Sequence, residues 1–144
     1  MSIKVLIVDD EKEFAQALAE RLRMRDFHVD TVYTGDEALA RLRDNGSEYD
    51  VVVLDVMMPG TSGEETLRRI KRDLPLMEVI MLTGHATVES AIEGMKLGAY
   101  DYLMKPAEAR ELADKLRKAY ARKKEHEDRI REAEIDRITK TRGW

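Results

Sequence analysis

The chain lacks several residue types, and each absence excludes a class of function. Its 144 residues include no cysteine, which excludes disulfides, thiolate metal sites and thiol catalysis. No apolar run approaches the roughly 20 residues that cross a bilayer, and the N-terminus has no signal-peptide pattern. We therefore expect a cytoplasmic protein that does not enter a membrane.

The residues that are present predict one soluble globular domain. Hydrophobic residues make up 43% of the chain and charged residues 38%, which is typical of a packed core with a strongly solvated surface. Residues 107–144 carry 12 Lys and Arg against 9 Asp and Glu, a net +3, whereas residues 1–106 carry a net −7. An acidic body with a mildly basic tail does not favour nucleic-acid binding, and we predict none by this chain.

Apolar runs rich in β-branched residues alternate with helical patterns. Runs that are apolar on both faces suit the interior of a parallel sheet covered by helices. Five such units within about 120 residues predict an α/β fold with a five-stranded parallel, doubly wound (βα)5 sheet. The predicted strands are Ile3–Val8, Val29–Tyr33, Val51–Leu54, Val79–Leu82 and Tyr102–Met104.

The end of the chain continues a helical pattern beyond what the fold requires. Leu112, Leu116 and Ala119 form a packing face, after which charged residues dominate. We predict one long C-terminal helix, with a domain at residues 1–120 and a charged helical extension or linker at 121–144. A disordered charged tail is the alternative.

Charged and polar side chains stand at successive predicted strand ends. Asp9 and Asp10 follow the first strand, Asp55 the third, Thr83 the fourth and Lys105 the fifth. Sites in open parallel sheets form beyond the carboxyl ends of the strands. These side chains are therefore expected to share one crevice.

Three clustered carboxylates raise one another's pKa values unless a cation joins them. Because all the candidate ligands are oxygens, a hard cation, Mg²⁺ before Ca²⁺, is the expected partner. The alternative for Asp10 or Glu11 taken alone is a helix N-cap. The coincidence of acidic strand ends favours the metal site.

Four segments resemble the receiver domain of bacterial two-component response regulators: VLIVDDE, VVVLDVMMPGTSG, MLTGHA and YDYLMKP. The resemblance runs from about Ile3 to Tyr120 and implies a flavodoxin-like receiver fold. It implies that Asp55 accepts a phosphoryl group from a sensor histidine kinase or a phosphotransfer protein. It also implies that the phosphorylated domain signals through the face formed by its fourth helix, fifth strand and fifth helix.

The same resemblance assigns a metal site. Asp10, Asp55 and the backbone carbonyl of Met57 are the implied ligands of Mg²⁺, which Mn²⁺ can replace, and Asp9 acts through a metal-bound water. Met57 and His85 are the implied neighbours of the hydrolytic water, and hence candidates for setting how long the phosphoryl group lasts.

Three further roles follow from the resemblance. Lys105 is expected to pair with Asp55 at rest and with a phosphoryl oxygen afterwards. Thr83 is expected to donate its hydroxyl to the phosphoryl group, and Tyr102 to turn inward when Thr83 moves. Tyr100 is the alternative aromatic, and spacing to Lys105 favours Tyr102.

Two other function classes fit the residues less well. An aspartyl-phosphate hydrolase needs an acid/base group two residues after the nucleophile, where this chain has Met57. A flavin binder needs a glycine-rich phosphate loop after the first strand, which is missing. We therefore expect no enzyme beyond self-phosphorylation and self-dephosphorylation. A phosphorylation-independent interaction module and a receiver fragment of a larger transcriptional activator remain open, as does a homodimer through the signalling face or the C-terminal helix.

Overall fold

The structure is a computed structural model that describes residues 2–84 and 88–141. Strands and helices alternate along the chain, as the sequence predicts. The predictions for His85 fall outside the described residues. The elements in chain order are β1 (Lys4–Val8), α1 (Lys12–Arg23), β2 (His28–Val32), α2 (Gly35–Asn45), a 3-10 turn (Gly46–Glu48), β3 (Val51–Asp55), α3 (Gly63–Asp73), β4 (Glu78–Thr83), α4 (Val88–Lys96), β5 (Asp101–Met104) and α5 (Ala109–Thr141).

The five strands form one parallel sheet in the order β2-β1-β3-β4-β5. This confirms the predicted doubly wound fold. Each strand bound differs from the prediction by at most one residue, and β3 and β4 extend one residue past the apolar run because their pairing continues there. Asp55 pairs with Leu82 and Thr83 pairs with Met104. Both polar residues are therefore the last residues of their strands and are held by the ladder itself.

Each face of the sheet is covered by helices. On one face, α1 and α5 pack on alternate strand residues such as Ile7, Val53 and Ile80. On the other face, α2 and α3 pack on the intervening residues, such as Leu6 and Leu54. Burial of both strand faces explains the continuous apolar runs of the sequence.

Helix α5 confirms the predicted long C-terminal helix. Its first half buries Leu112, Leu116 and Ala119 against the sheet, whereas residues 128–140 are exposed along their whole length. No described helix is long and apolar enough to span a membrane.

A buried ion pair fixes α5 at the point where it leaves the body. The guanidinium of Arg122 binds both carboxylate oxygens of Glu78, which is 2% exposed at the start of β4. Lys71 Nζ lies 3.7 Å from the same carboxylate, and Lys123 Nζ lies 3.7 Å from Asp50. Contacts with the body therefore continue to Lys123, three residues past the predicted boundary at 120.

Candidate functional site

The candidate site lies at the carboxyl ends of β1, β3, β4 and β5. Asp9 follows β1, and its backbone N–H donates to the carbonyl of Val32 (3.1 Å). Asp55 ends β3. The side chains of Asp9 and Asp55 are only 2% and 4% exposed. Two nearly buried carboxylates thus face each other across neighbouring strands.

The loop after Asp55 closes tightly on the strand end. The N–H of Gly63 donates to the carbonyl of Val56 (3.1 Å). A Cβ at Gly63 would lie 2.3 Å from the carbonyl oxygen of Asp55, closer than any side chain can approach backbone. Glycine at this position therefore lets α3 begin directly beside the site.

Three carboxylates form a compact cluster. Oxygen atoms of Asp9, Glu11 and Asp55 all lie within 4.8 Å of one another. Asp10 is exposed and lies outside this cluster. Its negative charge nevertheless contributes to the raised pKa of Asp55. Glu11 occupies the N-cap position of α1, but its side chain makes no capping hydrogen bond. The alternative role of Glu11 as a simple helix cap is therefore not what the structure shows.

The cluster fits a hard cation. Oδ2 of Asp9 is buried, and among the described residues its close polar partner is the Lys105 ammonium, 2.8 Å away in an ion pair. Its other oxygen accepts the backbone N–H of Glu11 (2.9 Å). A buried carboxylate oxygen with spare coordinating capacity beside two further carboxylates is a donor set that hard divalent cations prefer.

Lys105 is the cation present in this pocket. Its Nζ lies 2.8 Å from Asp9 Oδ2, 2.8 Å from Glu11 Oε1 and 3.5 Å from Asp55 Oδ2. The ammonium also stands 4.5 Å from the ring centroid of Phe14. Lys105 therefore shares its charge among three carboxylates, with closer contact to Asp9 and Glu11 than to Asp55.

The pocket shifts the pKa values of both partners. Burial raises the pKa of Asp55 to about 6, the Asp9 charge adds to the rise, and Lys105 and the Met57 N–H oppose it. Burial alone would lower the pKa of Lys105, but its hydrogen bonds to Asp9 and Glu11 outweigh that effect, and its pKa is raised. Asp55 is therefore a buried carboxylate that becomes charged near neutral pH.

Three further predicted residues lie in the loop after Asp55 and on β4 and β5. The N–H of Met57 donates to Asp55 Oδ1 (3.2 Å), and the Met57 side chain is 59% exposed. Thr83 is buried at the end of β4, and its carbonyl accepts the N–H of Lys105 (2.9 Å). The hydroxyls of Tyr102 and Ser90 lie 3.5 Å apart.

The two candidate tyrosines have different surroundings. Tyr102 is half-buried and reaches α4 through Ser90. The ring of Tyr100 instead stands 4.6 Å from the Arg122 guanidinium, in the opposite core. Tyr102 is the one whose hydroxyl contacts α4.

The response regulator receiver domain model matches residues 5–117. The chain belongs to this family. The match covers all five strands except Lys4 and includes Asp9, Glu11, Asp55 and Lys105, so the resemblance inferred from four short segments is confirmed.

Known receivers resemble this one in sequence and in fold. The transcriptional regulatory protein TcrA of Mycobacterium tuberculosis is 41% identical over 115 residues, which cover 80% of this chain and 45% of the relative. ZraR of Salmonella typhimurium is 37% identical over 123 residues, which cover 85% of this chain and 27% of the relative. A receiver domain protein from Clostridium thermocellum superposes with a TM-score of 0.81 at 39% identity, covering 85% of this chain and 97% of that structure. The chain spans less than half the length of these curated relatives.

Glu11 is the receiver residue that the sequence reasoning did not assign to the pocket. It stands directly after Asp9 and Asp10, so its proximity to the strand end is visible in the sequence. Glu11 stays exposed, and only its carboxylate reaches the cluster. Which of the two residues after Asp9 does so depends on how the chain enters α1, and sequence spacing does not decide this.

Proposed function

We propose that this receiver is a phosphorylation-controlled switch that accepts a phosphoryl group on Asp55 from a sensor histidine kinase or a phosphotransfer protein. One observation carries the proposal. The Asp55 carboxylate is almost fully buried, yet it lies in a cluster with Asp9 and Glu11 and 3.5 Å from Lys105. Three carboxylates so close together are unfavourable unless a cation binds beside them. We therefore interpret the cluster as a cation site and Asp55 as the carboxylate nucleophile that uses it.

The chemistry is a transfer between two protein side chains. An Asp55 oxygen attacks the phosphorus of the donor's phosphohistidine, forming an O–P bond as the P–N bond breaks and its electron pair returns to the imidazole. Mg²⁺ or Mn²⁺, when bound, neutralises charge on the transferring phosphoryl group. Asp10, Asp55 and the Met57 carbonyl would hold the cation, with Asp9 acting through water. Glu11 lies within 4.8 Å of Asp9 and Asp55 and would be a further ligand, whereas Asp10, which is exposed, would have to turn toward the pocket.

Lys105 and Thr83 would stabilise the product. The Lys105 ammonium is already within 3.5 Å of Asp55 and would pair with a phosphoryl oxygen as a compact point charge. Thr83 ends the adjacent strand and would donate its hydroxyl to another oxygen. Both groups would act on the phosphoryl group carried by Asp55 itself, so the domain would catalyse only its own phosphorylation and dephosphorylation.

The output would pass through the face formed by α4, β5 and α5. Movement of Thr83 toward the phosphoryl group would free space for Tyr102 to leave Ser90 and turn inward. Exposed apolar side chains already stand on this face, at Ile92 and Met95 of α4 and Met104 of β5. Such side chains are suited to a protein partner or a second receiver.

A second proposal concerns the length of the native protein. The matched relatives are transcriptional regulators more than twice as long as the matched region. By analogy with these relatives, we propose that the chain is the receiver part of a larger transcriptional regulator in the cytoplasm. The mass of the protein isolated from its native cells distinguishes a free receiver from a fragment.

Intact-mass spectrometry tests the phosphoacceptor. A small phosphodonor with Mg²⁺ should add one phosphoryl group to the wild type and none to Asp55→Asn. The matched control is Asp44→Asn, which removes an exposed carboxylate of α2 and should leave the modification intact. A phosphoryl group that persists in Asp55→Asn would overturn the assignment.

A further inference from the structure

The start of α1 supplies two contacts to the Lys105 ammonium. Glu11, at the N-cap position of the helix, pairs with Lys105 Nζ at 2.8 Å. Phe14 follows in the first turn of the helix, and the same ammonium stands over its ring, 4.5 Å from Nζ to the ring centroid. The N-cap residue and the third helical residue lie side by side at a helix start. A carboxylate and an aromatic ring of one element therefore approach the lysine together.

Phe14 stands where the hydrophobic core meets the site. It continues the apolar stripe of α1 that Leu18 and Leu22 form at four-residue spacing. Leu18 and Leu22 are buried, whereas Phe14 is partly buried and packs against their cluster. A leucine would continue this stripe equally well, but it has no ring whose negative face attracts a cation. The core therefore explains an apolar side chain at Phe14, and the Lys105 ammonium explains an aromatic one.

The ring contact differs in kind from the ion pairs that hold Lys105 at rest. Nζ lies 2.8 Å from Asp9 and from Glu11 but 3.5 Å from Asp55, so these two pairs have to lengthen when the ammonium moves to a phosphoryl group on Asp55. The ring contact tolerates such a movement. It begins at 4.5 Å and remains attractive to about 6 Å from the centroid, which allows a shift of about 1.5 Å. Phe14 is thus able to support the ammonium before and after it moves.

We propose that Phe14 is a positioning residue that keeps the Lys105 ammonium inside the pocket as it moves from Asp9 and Glu11 toward the phosphoryl group on Asp55. The inference rests on the proposed function, because it gives Phe14 a part in the same reaction. Phe14 acts through Lys105 and takes no other part in the transfer. Without the ring, water would hydrate that side of the ammonium. The lysine has a flexible four-carbon stem and would then spend less time beside Asp55.

Replacement of Phe14 by fluorinated phenylalanines tests the proposal. Monofluoro, trifluoro and pentafluoro rings nearly keep the shape of the side chain but progressively remove the negative charge from its face. Phosphorylation of the full chain by a small phosphodonor with Mg²⁺ should slow stepwise along the series, by about threefold to tenfold for the pentafluoro ring. Urea unfolding should show no matching loss of stability, since fluorination leaves the packing intact. Phe14→Leu should be about as slow as the pentafluoro variant.

Phe27 provides the matched control. Its ring is buried and stands 5.3 Å from the Arg117 guanidinium, on the same side of the sheet but with no part in the carboxylate cluster. The same fluorinated series at Phe27 should leave the rate of phosphorylation unchanged.

Proton NMR measures the contact between Phe14 and Lys105 without any phosphorylation. The ε-methylene protons of Lys105 are next to the ammonium, so the ring current of Phe14 should shift their resonance upfield. This resonance is assigned by its loss in Lys105→Met. It should move downfield in Phe14→Leu and stay in place in Phe27→Leu.

The two measurements separate the failure of this inference from the failure of the proposed function. An equal rate of phosphorylation across the fluorinated series would overturn the inference even if Phe14→Leu is slow, because packing would then be the cause. A Lys105 resonance that does not move in Phe14→Leu would overturn it as well. A wild type that accepts no phosphoryl group would instead overturn the proposed function, and the Lys105 resonance would still decide whether the ring contact exists.

Discussion

The ammonium nitrogen of Lys105 lies 3.5 Å from Oδ2 of Asp55, farther than its 2.8 Å contacts with Asp9 and Glu11. The lysine therefore balances the charge of the whole pocket and is not a dedicated partner of the nucleophile. A divalent cation entering the pocket has to share these carboxylates with an ammonium group.

Removal of that ammonium should strengthen cation binding. Lys105→Ala should bind Mg²⁺ several-fold more tightly than the wild type, because a competing positive charge is lost from a buried site. Isothermal titration calorimetry with MgCl₂ measures the change. Lys118→Ala, on the exposed side of α5, has the same net charge and should bind as the wild type. Equal or weaker binding by Lys105→Ala would show that the lysine organises the pocket and does not compete for it.

Asp55 should lower the stability of the resting domain in a pH-dependent way. Its pKa of about 6 lies above the ordinary value of roughly 3.9 for an unfolded chain. The folded state thus binds more protons between about pH 4 and 6, and stability falls as pH rises through that window. Asp55→Asn should therefore raise the free energy of unfolding by about 1–3 kcal/mol at pH 7.5, and the gain should vanish near pH 4.

Urea unfolding at several pH values measures this difference. Asp44→Asn should show no comparable gain at any pH, since Asp44 is exposed. Mg²⁺ should reduce the difference in unfolding free energy between Asp55→Asn and the wild type, because it stabilises the charged Asp55 carboxylate of the folded wild type. A gain of equal size at pH 4 and pH 7.5 would point to packing and not to charge.

Met57 should set the lifetime of the phosphoryl group. Its backbone N–H donates to Asp55 and its side chain is 59% exposed, and as a flexible apolar group that side chain would cover the phosphoryl group without orienting a water. Met57→Asn should speed dephosphorylation by about threefold to tenfold, by supplying a polar group beside the attacking water. Loss of the phosphoryl group after donor removal is followed by intact mass. Met24→Asn, at an exposed residue after α1, is the control, and unchanged or slower decay in Met57→Asn would exclude a shielding role.

Arg122 should contribute strongly to stability although it lies past the predicted domain boundary. Arg122→Ala leaves the buried Glu78 carboxylate with only Lys71 nearby and should lower the free energy of unfolding by about 2–4 kcal/mol. Arg129→Ala removes an exposed pair with Glu125 and should cost about 0.5 kcal/mol or less. Urea unfolding measures both changes. Equal losses of unfolding free energy would show that the Arg122–Glu78 pair contributes no more to stability than an exposed ion pair.

Sequence reasoning located the strand ends because apolar runs and charged residues change abruptly there. Asp55 and Thr83 could be placed at one crevice from topology alone. The membership of Glu11 in the carboxylate cluster and the position of Asp10 outside it could not be predicted, because they depend on the backbone path between β1 and α1. The Arg122–Glu78 pair joins residues 44 positions apart, and no local pattern signals such a contact.

The ion pair between Arg122 and Glu78 is the last strong attachment of α5 before its exposed part begins. Glu78 lies at the amino end of β4, whereas Asp55 lies at the carboxyl end of the neighbouring strand β3. Residues 124–141 continue the helix for about 27 Å, so a tilt of only about 5° at this pair displaces the far end by roughly 2 Å. A small tilt at the Glu78 pair would therefore displace the end of the helix by a distance that labels on the helix and on the body could report.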